Sequence, residues 1–494
     1  MSAQNRRWRS VVGASAAGLA VLFVSIAQGA QAISAGSVVT TYDYSNARSG
    51  QDTVSAKITG LSHNPSWNTK LDGAVYGEPL LYGGRIYVAT ENDSLFALNP
   101  RNGTPVWQIH LGHAVARSLY NQAPGLGNCG NIDPLGITST PVIDPTTNTL
   151  YAVEETVSGP ATWQNIHHVM VAISLSAQKV TWSRRVDPPR GNQVDQNGYT
   201  IPALLQRPAL TLTSGRVYAN FGGLSGDCGI YHGYVVGMKT NGVGDEVVYR
   251  VPTTTQGAIW ATNGALVSPQ GNLYVSTGNG SSTTTFDGSN AILELSPTLK
   301  LLSQWAPPNW ATLSASDWDL GSAGPIYIPG TSLMFISGKP QNGSFGYLVS
   351  STALGNGPGP SLFTGNVCAD PNSGVFGADA SAMVTLSGTS TPVIFAACQN
   401  GTEALAVTTG GTPSFHQLWG PSSTSSGGPP IVSGGVLWAL DYVNFQLVGL
   451  SPATGHVIFQ RPTANLNHFA TPTIGDGLVV IPTHKGVEAY ATTP

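Results

Sequence analysis

Charged side chains are scarce in this chain of 494 residues, because Asp, Glu, Lys and Arg together make up only 9% of it. An average soluble domain contains about 25%. This scarcity argues against long helices with a solvated charged face. The net charge of -4 also leaves no basic excess, which argues against a nucleic-acid-binding face. We therefore expect no nucleic-acid partner.

Cysteine is rare as well, with four residues in the whole chain. None lies in a C-x-x-C-H motif, so covalent haem is not expected. An even number of cysteines in an exported chain favours two disulfides. Four cysteines allow three pairings, of which we favour Cys129 with Cys228 and Cys368 with Cys398. Four free buried thiols are the alternative.

The N-terminus has the layout of a secretory signal peptide over residues 1–32. Three arginines precede an apolar stretch that ends near Gln28, and Ala30-Gln31-Ala32 follows as an A-x-A cleavage site. The alternative is a membrane anchor, for which the apolar run is only marginally long enough. Cleavage would leave no membrane span and would place the chain in the periplasm, the cell envelope or the medium.

Glycine and proline are abundant, with 60 and 34 residues, and they separate the strands of a recurring pattern. An apolar strand, a short turn and a strand of aromatic and β-branched residues return in eight copies, beginning with GEPLLYGGRIYVA. A pair of β-sandwiches would not show such a period. The second strands of the copies centre near Tyr87, Tyr151, Tyr218, Tyr274, Met334, Ile394, Leu437 and Val479.

Most copies continue to an outer strand that carries an aromatic residue. The eighth copy ends in HKGVEAY without such a strand, whereas NPSWNTKLDG around Trp67 is a strand without a copy. Pairing these two ends would close a ring and remove exposed sheet edges. We therefore expect an all-β fold, an eight-bladed β-propeller of four-stranded antiparallel blades, over residues 40–494. The outer-strand aromatics are Trp107, Trp182, Tyr249, Trp305, Phe363, Trp419 and Phe459.

The blade LFALNPRNGTPVW resembles the repeat of the quinoprotein alcohol dehydrogenases, which are eight-bladed propellers that bind pyrroloquinoline quinone (PQQ). It also resembles non-enzymatic propellers built from the same repeat. YDYSNARSG followed by LSHNPSW is similar to the N-terminal segment of these proteins, so the resemblance covers essentially the whole mature chain. It implies the fold more strongly than an activity, because function resides in the site.

The resemblance implies three binding residues in two segments. In AIWATNGALVSPQGNLYVSTGNG it places Trp260 as the floor under the quinone and Asn279 as a calcium ligand; in GKPQNGSFGYLV it places Lys339 on the quinone oxygens. A flat indole suits a stacked quinone, and an amide oxygen suits a hard cation. The structural alternatives are a core tryptophan, a turn asparagine and a solvated loop lysine.

Two further matches are partial. Arg117, in the loop after the first blade, would pair with a cofactor carboxylate, although any exposed arginine could do so. Glu155, or its neighbour Glu154, would be a second calcium ligand, although both lie a few residues before the family position. The alternative for these acids is an ordinary loop role.

Departures from the family pattern weaken the case for an enzyme. The dehydrogenases carry two adjacent bridged cysteines above the quinone, and this chain has no adjacent pair. Ser296 occupies the position at which we expect the general base, and a neutral hydroxyl is a poor base at pH 7. The run SDWDLGSAGP, with Asp317 and Asp319, is expected to order its blade.

Two functional hypotheses follow. The favoured one is an exported, monomeric PQQ-like propeller that binds a small-molecule ligand or a partner protein through its central funnel and face loops. The alternative is a PQQ- and calcium-dependent dehydrogenase that oxidises an alcohol or a sugar, with the cofactor carrying the redox chemistry. The sequence identifies no catalytic residue for it.

Overall fold

Strands make up nearly all of the regular structure in this computed structural model, which describes residues 38–188, 201–339, 345–370, 372–422 and 427–494. The predicted signal peptide over residues 1–32 lies outside the described residues. None of the described helices is long and apolar enough to cross a membrane. The helices are α1 (Arg117–Tyr120) and α2 (Trp310–Ala315), with 3-10 turns at Tyr42–Tyr44, Trp163–Asn165, Ile201–Ala203 and Leu320–Ser322.

The described strands form eight sheets, which are the blades of a β-propeller. The first strand, β1 (Gly60–Lys70), belongs to the last blade. Blade 1 contains β2 (Leu80–Tyr82), β3 (Arg85–Thr90), β4 (Ser94–Leu98) and β5 (Pro105–His110). Blade 2 contains β6 (Val142–Asp144), β7 (Thr149–Val157), β8 (Ile166–Ser174) and β9 (Lys179–Arg185). Blade 3 contains β10 (Leu204–Leu205), β11 (Thr211–Thr213), β12 (Arg216–Gly223), β13 (Tyr234–Lys239) and β14 (Val247–Arg250).

The remaining blades repeat this order. Blade 4 contains β15 (Leu266–Val267), β16 (Leu273–Ser276), β17 (Ile292–Leu295) and β18 (Leu301–Ala306). Blade 5 contains β19 (Ile326–Tyr327), β20 (Leu333–Ile336), β21 (Phe345–Ser350) and β23 (Phe363–Asn366), while β22 (Asn356–Pro358) adds to the edge of blade 4. Blade 6 contains β24 (Ala380–Leu386), β25 (Thr389–Cys398), β26 (Gly401–Thr408) and β27 (Ser414–Ser422). Blade 7 contains β28 (Ile431–Ser433), β29 (Val436–Asp441), β30 (Gln446–Leu450) and β31 (Val457–Pro462), and blade 8 contains β32 (Thr473–Gly475), β33 (Leu478–Thr483) and β34 (Gly486–Thr493).

The two ends of the chain close the ring. Strand β1 pairs antiparallel with β34, with Asn68 opposite Glu488, and so becomes the outer strand of blade 8. Trp67 in β1 is only 1% exposed. The predicted eight-bladed propeller and its closure by the strand around Trp67 are therefore confirmed.

A tryptophan on the outer strand of one blade packs against a glycine turn of the next. A Cβ on Gly103 would lie 3.1 Å from the Trp67 ring, and one on Gly242 would lie 2.7 Å from the Trp182 ring. Both glycines have a positive φ, near 70°, which side chains other than glycine rarely adopt. The Asn-Gly turns of the sequence thus serve both the hairpin and the contact between blades.

Residues 38–52 cross the centre of the ring, and we call this segment the N-terminal plug. Its residues hydrogen-bond to the inner strand of every blade, so it ties all eight together. The contacted residues, in blade order, are Leu81, Ile143, Leu212, Val267, Tyr327, Ser381, Val432 and Ile474.

Strand direction alternates within each blade, so the loops fall on two faces. Loops that join the second to the third strand, or one blade to the next, emerge on the same face, which we call the site face. The short turns that join the first to the second strand and the third to the fourth emerge on the opposite one, the turn face. This topology decides which predicted site residues can meet.

Candidate functional site

Site-face loops from neighbouring blades bring Trp260, Asn279, Asp317, Asp319 and Lys339 together, and we call this group the Trp260 site. The Lys339 Nζ lies 2.9 Å from an Asp317 oxygen and 2.5 Å from an Asp319 oxygen. The same nitrogen lies 5.9 Å from the centroid of the Trp260 ring, within cation–π range. The structure therefore places three separately predicted residues in one site.

Hydrogen bonds fix the loops of this site against one another. The backbone N–H of Asn279 donates to Asp319 over 2.6 Å, and its side-chain amide donates to Asp317 over 2.8 Å. The Asn290 side chain donates in turn to the Asn279 amide oxygen over 3.1 Å. The backbone N–H of Lys339 donates to the Asp319 carbonyl. Asn279 is thus a bridge between loops in this arrangement.

Burial and their mutual charges together set the pKa values of Asp319 and Lys339 at the centre of the Trp260 site. Burial raises the pKa of Asp319, and the Lys339 ammonium partly opposes that rise. Burial alone would lower the pKa of Lys339, but Asp319 and Asp317 outweigh it and raise that pKa. Lys339 is therefore charged at neutral pH, and Asp319 holds a proton more readily than an exposed aspartate.

A disulfide borders the Trp260 site. Cys129 and Cys228 are bonded, which joins the loop between blades 1 and 2 to a loop of blade 3. Next to Cys228, the Asp227 carboxylate accepts a hydrogen bond from the Tyr231 hydroxyl. Burial raises the pKa of Asp227, and the charge of Lys339 opposes this, so this loop faces the site.

The second disulfide, between Cys368 and Cys398, links blades 5 and 6. Both predicted disulfide pairings are therefore confirmed.

Glu155 belongs to a different cluster, on blade 2. Its carboxylate lies 3.3 Å from His168 Nε2, and His168 Nδ1 lies 3.4 Å from Asp187. Asp187 also contacts His167 Nδ1 at 2.8 Å. Burial alone would lower the pKa of His168, but the Glu155 and Asp187 carboxylates raise it to about 9. Glu155 is therefore the partner of a charged histidine.

Arg117 and Ser296 lie outside the Trp260 site. Arg117 begins α1 on the site face, where its backbone N–H donates to Asp133. Ser296 lies in the turn between β17 and β18, on the turn face, and its hydroxyl accepts the backbone N–H of Lys300. The residue at position 296 thus has no bearing on this site.

Asp319 is the residue whose part in the site the sequence interpretation missed. It was expected only to order its blade, yet its carboxylate is 1% exposed and contacts Lys339. Two acids spaced two residues apart, Asp317 and Asp319, in a long loop between blades are the signal that could have indicated it.

The residues present do not fit calcium in this arrangement. Asp317 and Asp319 both pair with Lys339, and Glu155 is paired with His168. Among the described ranges, no group of three or more His, Cys, Asp or Glu side chains is arranged to hold a metal ion. The indole of Trp260 and the Lys339 ammonium, by contrast, are groups that suit a flat quinone.

Comparisons with known proteins agree with this architecture. The family described as outer membrane protein assembly factor BamB matches residues 4–219, which is less than half of the chain. No curated protein sequence matches it.

Solved structures with this fold include dehydrogenases and BamB. The quinohemoprotein alcohol dehydrogenase ADHIIG of Pseudomonas putida is 14% identical, with a TM-score of 0.61 over 91% of this chain and 76% of the enzyme. A europium-containing methanol dehydrogenase is 12% identical, with a TM-score of 0.59 over 91% of this chain and 90% of the enzyme. BamB of Moraxella catarrhalis is 11% identical, with a TM-score of 0.53 over 88% of this chain and 100% of BamB. The chain thus shares its propeller fold with both.

Proposed function

We propose that this chain is a ligand-binding propeller that takes a flat, quinone-type molecule on the indole of Trp260. The observation that supports this most is the Lys339 ammonium, held 5.9 Å from the centroid of that ring by two carboxylates. An aromatic face beside a fixed cation matches the two chemical features of a quinone, a flat π-system and carbonyl oxygens that accept hydrogen bonds.

The proposal assigns each residue of the site a separate task. Trp260 stacks on the ligand, and Lys339 donates a hydrogen bond to one of its oxygens. Asp317 and Asp319 orient the ammonium, so that little side-chain entropy is lost on binding. The loop of Tyr231, held by the Cys129–Cys228 disulfide, forms part of the rim.

Titration with PQQ tests the proposal directly. We expect saturable quenching of tryptophan fluorescence and a change in quinone absorbance with the wild-type chain. Trp260→Ala and Lys339→Met should each weaken binding at least tenfold, about 1.4 kcal/mol. Trp163→Ala, a partly buried tryptophan in a site-face loop of blade 2, is the matched control and should bind normally. Equal binding by Trp260→Ala would refute the proposed site.

A PQQ-dependent dehydrogenase is a second candidate because Asp319 supplies a carboxylate within the site. PQQ, when bound, would accept the two electrons of alcohol oxidation. Asp319 would accept the hydroxyl proton of the alcohol, and its raised pKa makes it a stronger base than an exposed aspartate. Asp317, which is exposed, would only orient Lys339.

Dye-linked oxidation of ethanol or glucose by the PQQ-loaded chain separates the two candidates. A dehydrogenase should lose at least a hundredfold in kcat in Asp319→Asn, about 2.7 kcal/mol of barrier, while PQQ binding remains. Asp317→Asn, the control, should keep most of its activity. Binding without turnover in the wild-type chain would exclude the dehydrogenase and leave the binding function.

We also propose that the chain is exported. This rests on the signal-like residues 1–32 and on two disulfides, which persist in oxidising compartments. N-terminal sequencing of the mature protein should give a start directly after Ala32. A start at the initiator methionine would contradict the proposal.

A further inference from the structure

A funnel lies at the centre of the ring, next to the N-terminal plug. It is lined by Tyr42 of the plug and by side chains from the loops before several inner strands, among them Tyr76, Arg207, Thr262, His468 and Phe469. His468 is exposed, so the funnel opens to solvent on the site face. Arg207 contributes the only arginine or lysine among the described lining residues.

The Arg207 guanidinium is fixed on one edge and unoccupied on the other. Its Nε and Nη2 both donate to the backbone carbonyl of Trp260, over 3.0 and 2.6 Å. Its Cζ atom lies 4.7 Å from the centroid of the Phe469 ring. A guanidinium has five N–H donors, and no hydrogen bond to a described residue engages Nη1.

Arg207 also lacks an anionic partner. In the described parts of the chain, no carboxylate lies within salt-bridge distance of it, and burial lowers the pKa of Arg207 to about 10. The buried acids of the hub, Asp43 and Glu78, interact with Arg48 instead. A largely buried cation without a counter-ion is costly, and folded proteins usually pair it.

The backbone of a neighbouring residue also points to a ligand. Phe469 has a φ of 69°, a conformation that costs a bulky residue about 1–3 kcal/mol and is found mostly at functional sites. The Thr262 hydroxyl lies beside Tyr42 of the plug, with which it interacts. A strained residue thus holds the guanidinium in place.

We propose that this funnel binds a carboxylate group, which pairs with the free edge of Arg207. The ligand is either a small monocarboxylate or a larger molecule that inserts a terminal carboxylate. A carboxylate matches the planar guanidinium of arginine, which can donate two parallel hydrogen bonds to its two oxygens. A lysine ammonium could not offer this pair of donors. The site is distinct from the indole face, because the hydrogen bonds of Arg207 go to the backbone carbonyl of Trp260.

Calorimetric titration with sodium acetate, at constant ionic strength set with sodium chloride, tests this inference. The wild-type chain should bind acetate saturably with one site, and Arg207→Met should bind at least tenfold more weakly. Arg101→Met, which removes an exposed arginine of a blade 1 turn, should bind as the wild type does. Circular dichroism establishes that each variant is folded.

Two further variants keep the test decisive. Arg207→Lys preserves the charge but not the planar fork of donors, so its acetate affinity should fall severalfold. This variant keeps the test possible if Arg207→Met fails to fold. Trp260→Ala should lose PQQ and keep acetate, which separates this inference from the proposed function. The inference is overturned if the wild type shows no saturable acetate binding. It is also overturned if both Arg207 variants bind acetate as tightly as the wild type does. If the wild-type chain binds acetate but does not bind a larger dicarboxylate, the occupant is the small monocarboxylate.

Discussion

The Lys339 Nζ lies 2.5 Å from an Asp319 oxygen, and this contact joins the loop between blades 4 and 5 to a loop of blade 5. Asp319 is almost fully buried, whereas the Lys339 side chain keeps 18% of its surface. A second carboxylate, Asp317, contacts the same ammonium from the solvent side, so the nitrogen is paired on two sides. The pair therefore stabilises the fold locally and also prepares the site.

Lys339→Met should destabilise the chain by about 3 kcal/mol, because it leaves Asp319 buried without its cation. The loss should be smaller at pH 5 than at pH 8. Without Lys339 the folded-state pKa of Asp319 rises further above the unfolded value, so the folded state binds more protons and stability falls as pH increases. Urea unfolding at both pH values measures this.

Lys300→Met is the control, because Lys300 is exposed on the turn face, and its unfolding free energy should stay within about 0.5 kcal/mol of the wild type. A deficit in Lys339→Met that does not depend on pH would contradict the role assigned to the pair.

Much of the fold could be predicted because its determinants are local. An aromatic residue recurs on the outer strand of every blade. The strand around Trp67 had no blade of its own, and the last blade alone lacked an outer strand. Each of these features can be seen in a short window of sequence. Closure of the ring then follows from the need to cover sheet edges.

The site was harder to predict because it depends on loops from separate blades. Ser296 was assigned by counting along one blade, yet the turn that holds it emerges on the face opposite the Trp260 site. Glu155 lies in the expected blade, but His168 pairs with it. Asp319 and Arg207 acquire their roles only through contacts with Lys339 and with the Trp260 carbonyl. No local pattern contains these contacts.

His168 should make stability fall as pH rises from about 6.5 to about 9. Its pKa in the folded chain is raised to about 9, against about 6.5 when unfolded. A histidine whose pKa is raised by folding contributes its full stabilisation below the unfolded-state pKa. That stabilisation is lost as the pH rises through the folded-state pKa. His168→Gln should therefore flatten the decline by up to about 1.4 kcal/mol per pH unit, as measured by urea unfolding at several pH values.

Other buried acids titrate in the same range, including Glu91, whose pKa burial raises to about 8. The comparison is therefore the difference between variant and wild type at each pH. His456→Gln, at an exposed position of blade 7, serves as the control and should follow the wild-type curve. Parallel curves for His168→Gln and the wild type would show that the cluster is uncharged.

The two disulfides should contribute unequally. Cys129 and Cys228 are 99 residues apart, and Cys368 and Cys398 are 30 apart. In the chain-entropy description, closing these loops stabilises the fold by about 4.7 and about 3.6 kcal/mol. Replacing both cysteines of a pair with alanine should therefore lower Tm more for the first pair, as measured by calorimetry.

Loss of the first pair should also weaken PQQ binding, because its loop carries Asp227 at the edge of the site. Loss of the second pair, between blades 5 and 6, serves as the matched control for binding. An equal effect of both pairs on PQQ affinity would separate the disulfide from the site.

Arg48 should be among the residues most sensitive to substitution, because it anchors the N-terminal plug. It is fully buried and donates to the carbonyls of Tyr42, Leu210 and Ala265. Arg48→Met removes the Arg48 donors of the Tyr42 and Leu210 carbonyls, at about 1–3 kcal/mol each, and removes the cation beside Asp43, whereas the Thr211 hydroxyl still donates to the Ala265 carbonyl. We expect a loss of about 3–5 kcal/mol in urea unfolding.

The plug contacts the inner strand of every blade, so this loss should affect the whole ring. Unfolding of Arg48→Met should remain one transition at lower urea, with hydrogen exchange faster on all inner strands. Arg101→Met, which removes an exposed arginine of a blade 1 turn, should unfold as the wild type does. Faster exchange confined to blades 3 and 4, where Leu210 and Ala265 lie, would mean that the plug is a local contact and that the outer strand pair β1 and β34 alone closes the ring.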